Sequence, residues 1–150
     1  MQKIEISLWV ALVLGLLLKL LHLPGYSIFI VFPLLLLSTI YFLFSFFLFN
    51  KITFKGIFKL ESYKLPVVKL LHAFISGIGL SILMIGILYK LMHYNGGNFF
   101  LYNGLIICAL TLLWLFFIKK TVSYENFNII ALRFFVSISI GIILLIHSLV

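Results

Sequence analysis

Two short stretches carry the residue types that could do chemistry in this chain. "LLLKLLHLPGY", residues 16–26, places Lys19 and His22 in an otherwise apolar run. "ILYKLMHYNGG", residues 87–97, repeats the arrangement with Lys90 and His93. Ionisable side chains inside an apolar run are costly and usually face a partner or a cavity. A lysine beside a carboxylate could form a proton relay. Two histidines on neighbouring helices could hold a haem iron axially. The acids are Glu5, Glu61 and Glu125, and none falls within the apolar runs defined below, so a lysine–carboxylate relay would need a carboxylate from another chain. Zinc would require three or four ligands, and no Cys or acid accompanies the histidines. No metal or cofactor is therefore expected. Cys108, alone and mid-run, reads as a small packed hydrophobe.

The elements that must position these groups follow from composition. The 150 residues are 65% hydrophobic and 9% charged, far below the ~25% charge of a soluble domain. The solvent must be lipid, and the backbone must be satisfied internally. Strict apolar–polar alternation is absent, which selects helices over a barrel. About 20 apolar residues span a bilayer, and five runs qualify: 6–23, 27–49, 67–93, 99–118 and 128–149. Glu5 and Lys19 break up a signal-peptide pattern, so an uncleaved first helix is expected.

"LPGYS" joins the first two runs and "YNGGN" the third and fourth, which predicts two tight antiparallel hairpins. The formal net charge is +8, and the lysines fall on one side: Lys3, the loop with Lys51, Lys55, Lys59 and Lys64, then Lys69, Lys119 and Lys120, with Arg133. The positive-inside rule predicts a cytoplasmic N-terminus and an external C-terminus. No compact basic domain exists, so nucleic acid is not an expected partner. Loop 50–66 reads either as an orientation signal or as a short helix on the inner leaflet.

Gly15, Lys19, His22 and Gly25 stand 71 residues before Gly86, Lys90, His93 and Gly96. Gly, Lys and His are scarce here, so the match predicts a duplicated hairpin. The fold expected is an all-α integral membrane protein with five transmembrane helices. It is a single transmembrane domain, 1–150: repeat 1 at about 6–49, a basic cytoplasmic loop at 50–66, repeat 2 at about 67–118 and a fifth helix at 128–149. The hairpins enter the membrane in the same direction, as parallel repeats. Gly, Lys and His at i, i+4 and i+7 share one helix face. Two readings of the lysines stay open. They snorkel to the outer boundary, or Lys19, His22, Lys90 and His93 form an inward-facing polar layer. Gly15, Gly86, Gly77, Ser81, Ser137 and Gly141 are candidate packing positions, because small residues let helix backbones approach.

The pattern G-x-x-x-K-[L/I]-x-H, a short turn and a second apolar helix resembles the transmembrane hairpin of the gliding-motility stator subunit L (GldL-like) family. The resemblance rests on Gly15, Lys19 and His22, and on Gly86, Lys90 and His93. It covers roughly residues 11–49 and 82–118. It implies a bacterial inner-membrane protein of the Bacteroidota, tied to the type IX secretion motor. The family has one hairpin, a long cytoplasmic portion and a glutamate in its second helix. Residues 28–49 and 99–118 contain no acid.

No G-x-S-x-G, P-loop, H-E-x-x-H or C-x-x-C is present. No enzyme is expected. The expected role is a non-enzymatic inner-membrane subunit packing against partner membrane proteins or itself. The alternative is an ion or proton pathway component with a partner's carboxylate. A haem-bearing electron-transfer subunit is more distant.

Overall fold

The structure, a computed structural model, describes residues 2–50, 67–118 and 127–147. It contains five helices: α1 (Gln2–Leu20), α2 (Tyr26–Asn50), α3 (Val67–Leu91), α4 (Gly97–Ile118) and α5 (Phe127–His147). Among the described residues, α2 to α5 each hold a stretch long and apolar enough to cross a membrane. The chain is an all-helical, multi-pass membrane protein. The first helix has 19 residues and includes Lys3, Glu5 and Lys19, more charge than a plain hydrocarbon span carries. The loop 51–66, with its lysine repeat, and residues 119–126 lie outside the described residues.

The two hairpin turns have matching hydrogen bonds. Leu23 N–H donates to the Leu18 carbonyl and His22 N–H to that of Lys19. Tyr94 N–H donates to Tyr89 and His93 N–H to Lys90 in the same way. This is the Schellman helix stop, whose residue after the C-cap takes a left-handed conformation. His22 occupies it with φ 53° and His93 with φ 57°. Gly25 and Gly96, at φ 92° and 85°, then turn the chain into α2 and α4.

The first helix therefore differs from the run 6–23 at both ends. It ends three residues earlier, because His22 leaves helical geometry. It begins a turn earlier, which brings Glu5 into the helix.

The third helix is the centre of the bundle. It packs against α2, α4 and α5, while α1 lies on α2 and α5 also touches α4. Its sequence allows three neighbours because it is rich in small residues. A side chain at Gly77 would run into Tyr41 and Ser45 of α2. One at Gly79 would meet Ile107 and Cys108 of α4. Lipid tails are as apolar as leucine, so such van der Waals contact, rather than apolar burial, drives helix association in a bilayer. The packed interior holds Leu12, Ile30, Leu34, Leu80, Leu83, Met84, Ile87, Leu101 and Phe134. Pro33 lies within α2, which continues through it.

Candidate functional site

At the end of the bundle that carries the two hairpin turns, the lysines take different partners. Lys19 Nζ donates to the carbonyl of Leu91, at the end of α3. It thus crosses from one hairpin to the other and meets the negative end of a helix dipole. Lys90 Nζ instead donates to Asn98 Oδ1, 2.7 Å away, within its own hairpin. His22 and His93 are exposed. They do not continue the lysine face, since each has left helical geometry at a left-handed position. Their visible job is to stop a helix. Asn and His tolerate that conformation better than most residues, which is a physical reason for a histidine there.

The candidate packing positions are all buried. A Cβ on Gly15 would come 2.7 Å from the Phe29 carbonyl oxygen. One on Gly86 would come 2.6 Å from the Leu101 nitrogen. Each glycine thus seats the second helix of its own hairpin, not the other hairpin. Ser81 Oγ lies 2.8 Å from Ser38 Oγ of α2. Gly141 packs against Leu83 and Leu105, from α3 and α4.

The opposite end holds a polar constellation that the sequence reading passed over. Glu5 is buried and lies inside α1. Arg133 of α5 is also buried, where the sequence suggested an orientation charge. Its Nε donates to Glu5 Oε1 at 2.7 Å and its Nη2 to Oε2 at 2.6 Å. Two parallel bonds of this kind are the strongest arrangement an arginine makes with a carboxylate. Tyr41 of α2, fully buried, donates its hydroxyl to Glu5 Oε1 at 2.7 Å. Arg133 also lies over the Phe49 ring, 5.9 Å from its centroid. The first hairpin, through α1 and α2, and the last helix, α5, are locked through one carboxylate.

Beside this cluster, His72 of α3 is fully buried. Its Nε2 lies 3.2 Å from the Thr111 carbonyl oxygen of α4. A carbonyl only accepts, so this nitrogen carries the proton. The imidazole also meets the edge of Trp114. Ser76 and Ser137 complete the layer, to which every helix contributes. Among the described residues, Arg133 Nη1 and Ser137 Oγ are buried polar atoms with no hydrogen-bond partner.

Glu5, read as lying before the first apolar run, is thus placed inside the first helix and buried. A signal existed in the sequence: an acid near the start of α1 and an arginine six residues into α5 stand at similar depth. Only their opposite signs hinted at pairing. Tyr41 and His72 gave no such signal.

Residues 75–128 match the family described as the GldL N-terminal domain. The matched stretch covers most of α3, the second turn with Lys90 and His93, and all of α4. No curated protein and no solved structure matches the chain. The second hairpin is thus similar to the GldL type, and the first shows the same turn bonds without being part of the match.

Proposed function

We propose that this chain is a non-enzymatic subunit of the bacterial inner membrane. It assembles with other membrane proteins, or with copies of itself, on a duplicated GldL-like hairpin. Five helices cross the bilayer, with the N-terminus in the cytoplasm and the C-terminus outside. The observation that carries the reading is the GldL-type match over the second hairpin, together with the same cap and glycine seat in the first. In this reading Lys19 and Lys90 brace the outer ends of the two units, with His22 and His93 as the helix stops. The test is extraction of the tagged native protein in mild detergent, followed by mass spectrometry. Recovery of defined membrane partners or a discrete oligomer supports the proposal. Recovery only as a monomer overturns it.

One observation favours a second reading, a component of an ion or proton pathway. Glu5 supplies a buried carboxylate from this chain, where the sequence suggested one from a partner. Its bidentate bond to Arg133 opposes that role, because a proton carrier must release its partner to exchange protons. The pathway reading therefore needs a partner group that competes for Arg133. Proton flux into vesicles holding the assembled complex, compared between the parent and Glu5→Gln, separates the two. Equal flux leaves Glu5 a structural group.

A further inference from the structure

A surface that faces hydrocarbon should carry no polar group that its own helix cannot satisfy. Thr39 meets that condition, since its hydroxyl donates to the Leu35 carbonyl one turn back. Asn103 does not. It is exposed on α4, six residues after Gly97, and so lies about 9 Å along the helix from the turn. A carboxamide at that depth is too short to reach the boundary as a lysine does. Its Nδ2 donates to the Phe99 carbonyl at 2.8 Å. A carboxamide has two N–H donors and an acceptor oxygen. One N–H and Oδ1 therefore remain, and neither has a partner among the described residues.

Asn103 stands in line with Phe99, Ile106, Leu110, Leu113 and Phe117, all exposed. The steps between them alternate between four and three residues, the spacing of a seam along which two helices pack. The five apolar members suit lipid as well as protein. Asn103 suits a neighbour that returns a donor and an acceptor at its own depth. A second copy does this without any further condition. Copies inserted in the same direction are related by an axis along the bilayer normal, so their α4 helices run parallel and Asn103 meets Asn103 at one level. The remaining N–H of one carboxamide then faces the Oδ1 of the other.

We propose that the exposed face of α4 joins two copies of this chain across a two-fold axis, with the two Asn103 side chains hydrogen-bonded to each other within the apolar seam. A single asparagine in such a seam fixes the register and the number of helices that pack there, and that is the role of Asn103. This pairing rests on the subunit reading given under Proposed function and names one partner within it, the chain itself.

The test follows Förster transfer between terminally labelled donor and acceptor copies of the full chain in phosphatidylcholine vesicles, as the protein-to-lipid ratio is varied. The parent should associate. Asn103→Leu should reach half-association only at a ratio about ten-fold higher, the effect of losing one interhelical hydrogen bond in a bilayer. Asn103→Gln, which keeps a donor and an acceptor, should stay near the parent. Cross-linking covers the case in which Asn103→Leu does not fold. In a Cys108→Ala background, which removes the sole native cysteine, oxidation should join copies through Leu110→Cys and not through Leu35→Cys on the exposed face of α2. Half-association of folded Asn103→Leu at the parent's ratio, no cross-link at Leu110→Cys, or an equal one at both positions overturns the two-fold seam and leaves the subunit reading standing. So does a parent that is monomeric in vesicles while Leu110→Cys joins it to another membrane protein in native membranes, which assigns the face to that protein. A chain that is monomeric both in vesicles and in the native extract overturns both.

Discussion

Glu5, Tyr41 and Arg133 put a charged network where lipid and protein would otherwise exclude it. Breaking a buried ion pair by removing one partner costs about 3–5 kcal/mol, whereas replacing both partners by apolar residues of similar volume is often neutral. Glu5→Gln and Arg133→Met should each lower the thermal unfolding midpoint in mild detergent substantially. The double variant Glu5→Met with Arg133→Met should recover much of the loss, and a further drop in the double would contradict the pairing. Tyr41→Phe removes one hydrogen bond to a charged acceptor, an effect of about 1.5–3 kcal/mol. The histidines make an opposite prediction. A left-handed conformation costs a non-glycine residue roughly 1–2 kcal/mol. His22→Gly and His93→Gly should therefore raise the unfolding midpoint and leave assembly intact. Lost assembly with retained folding would show that the imidazoles do more than end a helix.

At the scale of elements, the hairpin is set by a glycine and a cap. Gly15 and Gly86 let the second helix of each hairpin lie against the backbone of the first. A side chain there meets backbone atoms, which cannot rotate away. Gly86→Val should splay α3 from α4 and cost at least the 1–3 kcal/mol of an overpacked core; Gly15→Val should do the same for α1 and α2. Gly25 and Gly96 face open space, so alanine there meets only the strain of positive φ. The check is the unfolding midpoint of the four variants. An equal effect at all four positions would mean that close approach is not what Gly15 and Gly86 provide. Lys19 ties α1 to the end of α3, whereas Lys90 stays in its own hairpin. Lys19→Met should accordingly disturb the fold more than Lys90→Met.

Across the whole molecule, α3 is the core and α1 is the outlier, held by α2, by the Lys19 bond at one end and by the Glu5–Arg133 pair at the other. These polar ties hold a helix with three charges against four more apolar ones. Reporter fusions at Asn50, Gly96, Lys120 and Val150 should read inside, outside, inside and outside. A cytoplasmic Val150 would remove one span, and α1, on its charge, would be the first to reconsider. The small-residue faces that suggested a partner are occupied within the chain. In the proposed assembly, contacts to other subunits would use large apolar side chains that the bundle leaves exposed, such as Phe32, Phe74 and Phe117.

How much of this was legible depends on whether the determining interaction is local. Helix number, hairpin connection and nearly every helix boundary follow from run length and from Pro24-Gly25 and Gly96-Gly97, because backbone hydrogen bonds in lipid are closed within each helix. The paired Lys–His stretches could be found in the sequence for the same reason: their spacing is a property of one segment. Their geometry was not, since helix ends three and two residues short of the apolar runs took His22 and His93 off the lysine face. Gly15 and Gly86 announced a close neighbour without naming it. The Glu5–Arg133 pair, 128 residues apart in the chain, was beyond any local pattern. A charge near a helix start looks the same whether it faces water or a buried partner, and only the packing of α1 and α5 against α2 and α3 decided which.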